Sequence, residues 1–246
     1  MKQNKYDDKA FFAAYEKMPR SVKGLAGAGE WHVLKALLPD MRGKAVLDLG
    51  CGFGWHCRYA REQQARSVVG VDLSENMLEK ARETTNDPFI SYLNMAIEDI
   101  DFRRAQFDVV ISSLAFHYIK SFRPICKNVY DCLKAEGTFV FSVEHPIFTS
   151  RHQQDWCYDH QGNRQHWPVD HYQSEGMRET SFLAEHVIKY HRTLSTYIND
   201  LIEAGFRINA VKEPTPSEDM SALSQEMKDE WRRPMFLIIS AQKPKL

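Results

Sequence analysis

Three glycines at alternate positions follow a short apolar run near residue 50. The run is VLDL (46–49), and Gly50, Gly52 and Gly54 come next, ahead of a segment with the composition of a helix. A buried strand that enters a glycine turn and then a helix presents backbone N–H groups to a ligand at the helix N-terminus. Asp48, two residues before the first glycine, indicates which kind of ligand the turn accepts.

A second acidic residue, Asp72, closes the apolar stretch VVGVD further along the chain. A glycine turn followed by an acid at the next strand end is typical of a nucleoside-cofactor site, where the carboxylate binds ribose hydroxyls. This pattern fits both a pyridine dinucleotide and S-adenosylmethionine. However, Trp55 stands where the dinucleotide fingerprint has its third glycine, and Asp48 would repel a pyrophosphate. Both favour S-adenosylmethionine, which carries an ammonium and a sulfonium but no phosphate; a loop-bracing role for Asp48 is compatible with this interpretation.

The chain around these residues alternates between strand-like and helix-like segments. Five strands are predicted, over 45–50, 67–74, 90–95, 107–115 and 138–144. Helices are predicted in most of residues 1–40, after the N-cap Ser74, and over 124–137 with its end at Gly137. Beyond residue 190, one more helix (TLSTYINDLIEAGF) and two more strands (RINAVKEP and PMFLIISAQ) follow. The alternation predicts an α/β fold: a parallel sheet with helices on both faces and a ligand at the carboxyl ends of its strands.

Composition narrows the class of protein. The 246 residues are 43% hydrophobic and 26% charged, as expected of a soluble globular chain, and the net charge of −1 provides no basic field to attract nucleic acid. Five cysteines without a CxxC pair favour reduced thiols over a disulfide framework or a zinc ribbon. The first residues lack the apolar core of a signal peptide, and no apolar run reaches the length of a membrane span. We therefore expect a cytoplasmic protein.

Five segments together resemble the successive motifs of the class I S-adenosylmethionine-dependent methyltransferases. They are VLDLGCGFG, VVGVDLSENMLEKAR, AIEDIDF, FDVVISSLAFHYI and LKAEGTFVFSVEHP, and the resemblance resumes in LSTYINDLIEAGFRINAVKEP. It implies a doubly wound, mostly parallel sheet of seven strands, with the last strand antiparallel and inserted beside the fifth. The chain is then one methyltransferase domain, with a helical cap (1–40), a cofactor-binding core (41–145), a substrate lid insertion (146–190) and a segment that completes the sheet (191–246).

The resemblance also implies roles for individual residues in binding S-adenosylmethionine. Those expected at its methionine part are Gly50, Gly52 and the backbone at Cys51, with Asp48 toward the ammonium and either Tyr15 or Arg20 toward the carboxylate. Those expected at its adenosine part are Asp72 on both ribose hydroxyls, Leu73 over the adenine, the backbone of Ala96 and Ile97, and Glu98 or Asp99. Ser112 and Leu114 are expected to flank the transferable methyl group.

Three residues at strand ends are candidates for the chemistry: His117, Glu144 and His145. Methyl transfer requires alignment and exclusion of water, and it needs a base only when the acceptor atom is protonated. His145 opens the segment where acceptors bind and is the first candidate for a base, although a structural role is equally consistent with a histidine before proline. Glu144 would orient His145 or bind an amine acceptor. His117 lies where many family members carry a histidine, which favours a role in the architecture of the cofactor pocket over that of a base.

The segment 146–190 is rich in aromatic residues and histidines and fits neither a helix nor a buried strand well. Its aromatic residues suit either a lid over an aromatic or amphipathic small molecule or a cap packed on the sheet edge. The histidine spacings match no zinc site, so no metal is predicted.

The predicted function is methyl transfer to an O, N or C atom of a small acceptor, with S-adenosyl-L-homocysteine as the product. The alternatives are a non-catalytic regulatory module that binds the cofactor and an NAD(P)-dependent oxidoreductase.

Overall fold

A seven-stranded sheet is the centre of the computed structural model, which describes residues 3–216 and 225–245. The strands are β1 (Ala45–Leu49), β2 (Ser67–Asp72), β3 (Ile90–Asn94), β4 (Phe107–Ser113), β5 (Leu133–Glu144), β6 (Cys157–Tyr158), β7 (Arg164–His166), β8 (Gly176–Phe182), β9 (Ala184–His191), β10 (Arg207–Lys212) and β11 (Phe236–Gln242). The helices are α1 (Lys9–Tyr15), α2 (Pro19–Val22), α3 (Trp31–Leu37), α4 (Trp55–Glu62), α5 (Glu75–Glu83), α6 (Phe122–Cys132), α7 (Pro146–Thr149), α8 (Leu194–Glu203) and α9 (Gln225–Asp229).

The sheet has the strand order β10-β11-β5-β4-β1-β2-β3. β1 to β5 are parallel, whereas β11 pairs antiparallel with both β5 and β10. This confirms the predicted doubly wound sheet of seven strands with its last strand antiparallel beside the fifth. The order reverses between β1 and β4, so a crevice forms at the carboxyl ends of these two strands.

Helices cover both faces of the sheet, because the central strands direct apolar side chains toward each face. On one face, Leu47 and Phe141 pack in a cluster with residues of α6 and α8. On the other, Val46 and Ile111 pack with Ala60 of α4. Burial on both faces explains why these strands read as nearly continuous apolar runs.

The boundary between α6 and β5 differs from the sequence prediction. We expected a helix to Gly137 and a strand from residue 138, but the helix ends at Cys132 and the strand begins at Leu133. Leu133 pairs with Phe107 of β4 across a register shift, and Glu136 takes a positive φ of 63°. Long-range pairing with β4 therefore overrides the local helical preference of these residues.

Two hairpins occupy the segment in which neither a helix nor a buried strand was predicted. β6 pairs with β7, and β8 pairs with β9 over most of its length. The buried side chains of the second hairpin are largely polar and include Arg178, Thr180, Lys189 and His191. A strand is usually predicted from apolar residues at every second position. In this hairpin, charged and polar residues occupy most of the inward-facing positions, so the sequence did not predict it.

The residues Gln3–Asp7, called the strap below, connect this hairpin to the loop after β2. The Gln3 side-chain amide donates to the carbonyl of Ile188 (3.2 Å) and accepts from its N–H (2.8 Å). Asn4 donates to the carbonyl of Leu73, and Asp7 accepts from the Ser74 hydroxyl. The strap thus closes the crevice from outside the sheet.

Candidate active site

The glycine turn between β1 and α4 takes a shape that side chains would prevent. Gly50 has a φ of +75°, and a Cβ on it would lie 2.5 Å from the Cβ of Ala115. Gly52 has a φ of +52°, yet a Cβ on it would meet no atom within 4 Å. Gly50 is therefore required for packing of the protein itself, whereas Gly52 leaves open space on the side where a ligand can lie.

Asp72 is fixed at the end of β2 by two backbone N–H groups. Gly52 donates to Oδ2 (2.8 Å) and Ser74 donates to Oδ1 (2.9 Å), so the carboxylate joins the glycine turn to the start of α5. Burial raises the pKa of Asp72, and these hydrogen bonds oppose that rise. Each oxygen retains a lone pair that a ligand hydroxyl can use.

Three neighbouring spaces share Gly50 in their linings. The outer cavity, about 540 Å³, is bounded by Asp72, Leu73, Ala96–Glu98 and part of β9. The inner recess, about 70 Å³, lies between the glycine turn and α2. The central chamber, about 170 Å³, extends from Leu114 to Glu144. An elongated ligand can therefore run along the turn and expose its middle to the chamber.

The inner recess gathers hydrogen-bond donors. The partly exposed Arg20 forms an ion pair with the buried Glu30 at 2.6 Å through Nη2, which leaves other guanidinium N–H groups for a ligand. Ser21 Oγ and Trp55 Nε1 also line this side, and neither has a hydrogen-bond partner among the described residues. Buried donors without partners are costly, and an anionic group in the recess would satisfy them.

Asp48 lies under the turn, 1% exposed. Its Oδ2 accepts from the Cys57 thiol at 3.3 Å, and its Oδ1 has no hydrogen-bond partner among the described residues. Burial raises the pKa of Asp48 to about 7. A cationic group nearby would stabilise the carboxylate in its charged form.

The wall of the central chamber contains a buried ion pair. Lys189 of β9 donates to Oε1 of Glu144, at the end of β5, at 2.6 Å. Burial alone would raise the pKa of Glu144, but the positive charges of His117, in its protonated form at low pH, and of the Lys189 ammonium outweigh it and hold this pKa below its usual range. The other oxygen, Oε2, has no hydrogen-bond partner among the described residues.

His117 lies beside this pair and lines the same chamber. Its Nδ1 accepts the backbone N–H of Glu144 at 3.4 Å, so the neutral ring carries its proton on Nε2. Burial lowers the pKa of His117 to about 4, which keeps the ring neutral at physiological pH.

Known proteins share both the sequence and the fold of this chain. The methyltransferase-domain family matches residues 47–141. A Haemophilus influenzae protein of uncharacterised function is 36% identical over 245 residues, which span 97% of this chain and 96% of that protein. A solved structure from Listeria monocytogenes, assigned to the S-adenosylmethionine-dependent methyltransferases, is 56% identical with a TM-score of 0.86 and covers 90% of this chain and 100% of that one. This chain belongs to the S-adenosylmethionine-dependent methyltransferases. A family member from Mesorhizobium loti is 43% identical, with a TM-score of 0.84 and coverage of 89% of this chain and 100% of that one.

The crevice of this methyltransferase fits S-adenosylmethionine. The unpartnered donors of the inner recess suit a carboxylate, and the unpartnered oxygen of Asp48 suits an ammonium. The outer cavity, with Asp72 on its wall, is large enough for a nucleoside. This match of cationic and anionic partners to one zwitterionic molecule agrees with the family assignment.

The methyltransferase brings most of the sequence-predicted residues to these spaces, but Asp48, Asp99, Ser112 and His145 line none of the three. The predicted residues that line at least one space are Tyr15, Arg20, Gly50, Cys51, Gly52, Asp72, Leu73, Ala96, Ile97, Glu98, Leu114, His117 and Glu144. Ser112 is fully buried and donates to the carbonyl of Leu49 at 2.7 Å, and its neighbour Ser113 lines the chamber instead.

The structure does not bring His145 into the chamber lining. Its Nδ1 accepts the N–H of Ile147 and so caps α7, and its Nε2 pairs with Glu213 at 2.9 Å. Both ring nitrogens are thus engaged inside the protein.

Sequence reasoning did not single out Ser21, which lines the inner recess, or Glu30 and Lys189, which pair with the lining residues Arg20 and Glu144. Trp55 was noted only as a departure from the dinucleotide fingerprint. Nothing in EHVIKYH distinguishes Lys189 from a surface lysine, because its burial depends on the hairpin fold.

The described residues contain no group of three or more His, Cys, Asp or Glu side chains that could hold a metal ion. Among the described helices, none combines the length and apolarity of a membrane span.

Proposed function

We propose that the protein transfers the methyl group of S-adenosylmethionine to a small-molecule acceptor bound in the central chamber. The observation that carries this proposal is the buried, unpartnered Oε2 of Glu144, a residue that lines the chamber next to Gly50 of the glycine turn. A buried polar atom that has no partner in the protein can accept a hydrogen bond from a bound ligand. The volume of about 170 Å³ favours a small acceptor.

In this proposal, the outer cavity holds the adenosine. Asp72 accepts hydrogen bonds from the ribose hydroxyls, and Leu73 and Ile97 cover the adenine. The backbone of Ala96 and the side chain of Glu98 are at the same cavity and supply polar contacts. The parallel strands bring these residues together because the loops after β2 and β3 are neighbours.

The inner recess holds the methionine part. Arg20, Ser21 and Trp55 donate to its carboxylate, and Asp48 stabilises its ammonium through the glycine turn. Tyr15 lies at both the recess and the chamber, where its hydroxyl is held protonated because burial raises its pKa. A cofactor fixed at both ends has little freedom along the turn, which supplies the alignment that methyl transfer needs.

Bound S-adenosylmethionine supplies an electrophilic methyl group, and the chain aligns the acceptor with it and excludes water. Leu114, with a φ of +54°, lines the chamber next to the glycine turn. Tyr6 of the strap and Tyr118 place their hydroxyls 3.5 Å apart over the chamber. Hairpin and strap together cover the crevice, so water exclusion follows from the same elements that bind the cofactor.

Incubation with methyl-labelled S-adenosylmethionine and a fractionated small-molecule extract tests this function. We expect a labelled metabolite by mass spectrometry, together with S-adenosylhomocysteine. Asp72→Asn should weaken cofactor binding about tenfold or more, since it removes a charged acceptor of two hydrogen bonds. The matched control is Asp131→Asn, a solvent-facing carboxylate on α6 that pairs with Arg104.

Two results would contradict the proposal. Tight cofactor binding without label in any fraction would favour the non-catalytic regulatory module. Absence of cofactor binding would contradict the assignment of the three spaces themselves.

A further inference from the structure

The polar groups of the central chamber restrict which atom can be methylated. The titratable residues that line it, among those the structure describes, are Tyr6, Tyr15, Arg20, Asp72, His117, Tyr118 and Glu144. A hydroxyl, thiol or acidic N–H acceptor loses a proton during the reaction, and a base with a pKa near the working pH must take it.

None of these residues is suited to be that base. Burial raises the pKa values of the three tyrosines, so their hydroxyls remain protonated and donate. His117 has Nδ1 engaged with the Glu144 N–H and its proton on Nε2, so its ring is also a donor. Each oxygen of Asp72 accepts a backbone N–H, and the lone pairs that remain are assigned to the ribose hydroxyls of the cofactor.

Glu144 can accept a hydrogen bond but is a weak base. Lys189 donates to its Oε1 at 2.6 Å and stabilises the ionised carboxylate, while Oε2 has no hydrogen-bond partner among the described residues. Lys189 is itself held in place, because its Nζ also donates to Gln154 and lies over the ring of Phe182 at 5.1 Å. An acceptor with a carboxylate at the reacting atom would face the lone pairs of Oε2 and be repelled.

We propose that the acceptor atom is the nitrogen of an uncharged amine, which donates an N–H to Glu144 Oε2 and keeps its lone pair for the methyl group. This inference rests on the proposed function. An uncharged amine is favoured over an ammonium ion because Lys189 already balances the charge of Glu144. An amine that is already uncharged at the working pH needs no base before it reacts.

The charge change during the reaction agrees with this arrangement. A nitrogen–carbon bond forms as the carbon–sulfur bond breaks, so the sulfonium becomes a neutral thioether and the positive charge passes to the nitrogen. When the acceptor is a primary or secondary amine, the methylated ammonium ion that forms can then release its N–H proton to water. Glu144 lies where the new cation forms, and the rings of Tyr6, Tyr118 and Phe182, which line the same chamber, are suited to stabilise it.

The experiment separates labelled products by chemical class. Wild-type protein, methyl-deuterated S-adenosylmethionine and a small-molecule extract are incubated, and the products are fractionated on a cation exchanger at low pH and then identified by mass spectrometry. Label in retained N-methyl amines is expected. Label in O-, S- or C-methylated products would overturn this inference and leave methyl transfer intact. Complete absence of label would overturn the proposed function and this inference with it.

Variants and a probe test the part assigned to Glu144. Glu144→Gln should lower the labelling rate about tenfold or more and leave binding of S-adenosylhomocysteine within about threefold, because the hydrogen bond to a charged acceptor is lost while the cofactor contacts remain. Glu144→Gln/Lys189→Met should show the same loss without a buried unpaired lysine. Glu179→Gln, on the exposed side of β8, is the matched control.

The probe is aniline, which is uncharged at neutral pH. With S-adenosylhomocysteine bound, calorimetry should show tighter binding of aniline than of toluene to the wild type, and Glu144→Gln should lose this preference. Equal binding of the two probes to the wild type would contradict the role of Oε2.

Discussion

At the scale of single residues, burial of the Asp48 carboxylate lowers the free energy of unfolding when the cofactor is absent. It is buried, one of its oxygens has no hydrogen-bond partner among the described residues, and burial raises its pKa to about 7. A carboxyl with a raised pKa stabilises the folded protein in its protonated form, and this contribution is lost as the pH rises toward the folded-state pKa. In the proposed complex, the ammonium of S-adenosylmethionine offsets the cost of burying the charged Asp48 carboxylate.

The first prediction concerns Asp48→Asn. Without cofactor, the free energy of unfolding of the wild type should fall relative to that of the variant between about pH 4 and about pH 7, by roughly 1.4 kcal/mol per pH unit at most. Above that window the difference should be constant, and the variant should be more stable. Urea unfolding of both proteins at several pH values measures this difference in the free energy of unfolding. Calorimetry should show that the variant binds S-adenosylmethionine more weakly than the wild type. A difference that does not change with pH would show that Asp48 does not titrate in this range.

The second prediction concerns Trp55, whose Nε1 is a buried donor at the inner recess. Trp55→Phe keeps most of the ring volume and removes this donor, so S-adenosylhomocysteine should bind about tenfold more weakly. Trp231→Phe is the matched control, since Trp231 is 54% exposed. Unchanged affinity in Trp55→Phe would remove this residue from the carboxylate site.

At the scale of elements, the Glu144–Lys189 pair joins the end of β5 to β9. The two side chains lie 45 positions apart in sequence and are both buried. A buried pair is strongly destabilising when only one partner is removed. The hairpin and the sheet therefore depend on each other for stability at this point.

The third prediction follows from that dependence. Lys189→Met should lower the free energy of unfolding by about 3–5 kcal/mol, because it leaves Glu144 buried without its partner. Glu144→Gln/Lys189→Met should recover much of the loss, since no buried charge remains. Denaturant unfolding of the two single variants, the double variant and the wild type gives the coupling energy. A double variant no more stable than Lys189→Met would mean that the lysine acts through packing and not through charge.

Elements that are specified locally were predictable from the sequence, and those specified by distant contacts were not. The glycine turn and Asp72 were found because positive φ angles and a strand-end carboxylate leave a signature over a few residues. The end of α6 was misplaced because Leu133 forms its pairing with Phe107, far away in sequence. The β8–β9 hairpin was missed because Lys189 and Arg178 face inward, and only the folded sheet edge provides the partners that make such burial favourable.

At the scale of the whole molecule, the cofactor crevice is bounded by segments from four parts of the chain. The strap, the glycine turn, the loop after β2 and the hairpin all line the outer cavity or the chamber. Ligand binding stabilises every segment that it contacts, by RT ln(1 + [L]/Kd), or about 2.7 kcal/mol at a hundredfold excess over Kd. Segments that are held only by a few surface hydrogen bonds should show this most clearly.

The fourth prediction is therefore a pattern of hydrogen exchange. Saturating S-adenosylhomocysteine should slow amide exchange in the strap, the glycine turn and β9, and leave β10 unchanged, because β10 lies at the far edge of the sheet. Mass spectrometry of peptic fragments measures it. Equal protection of β10 and the strap would indicate global stabilisation instead of closure over the crevice.

The pairing of Gln3 with Ile188 also has a consequence for the order of events during biosynthesis. The two residues are 185 positions apart, so at ribosomal speeds of about 5–20 residues per second the strap emerges roughly 10–40 s before its partner. The glycine turn and β2 are synthesised within that interval, but the cavity they border lacks its outer wall. We therefore expect a nascent chain to hold the cofactor weakly at first and to enclose it only when synthesis is nearly finished, so that the cofactor does not guide the early steps of folding.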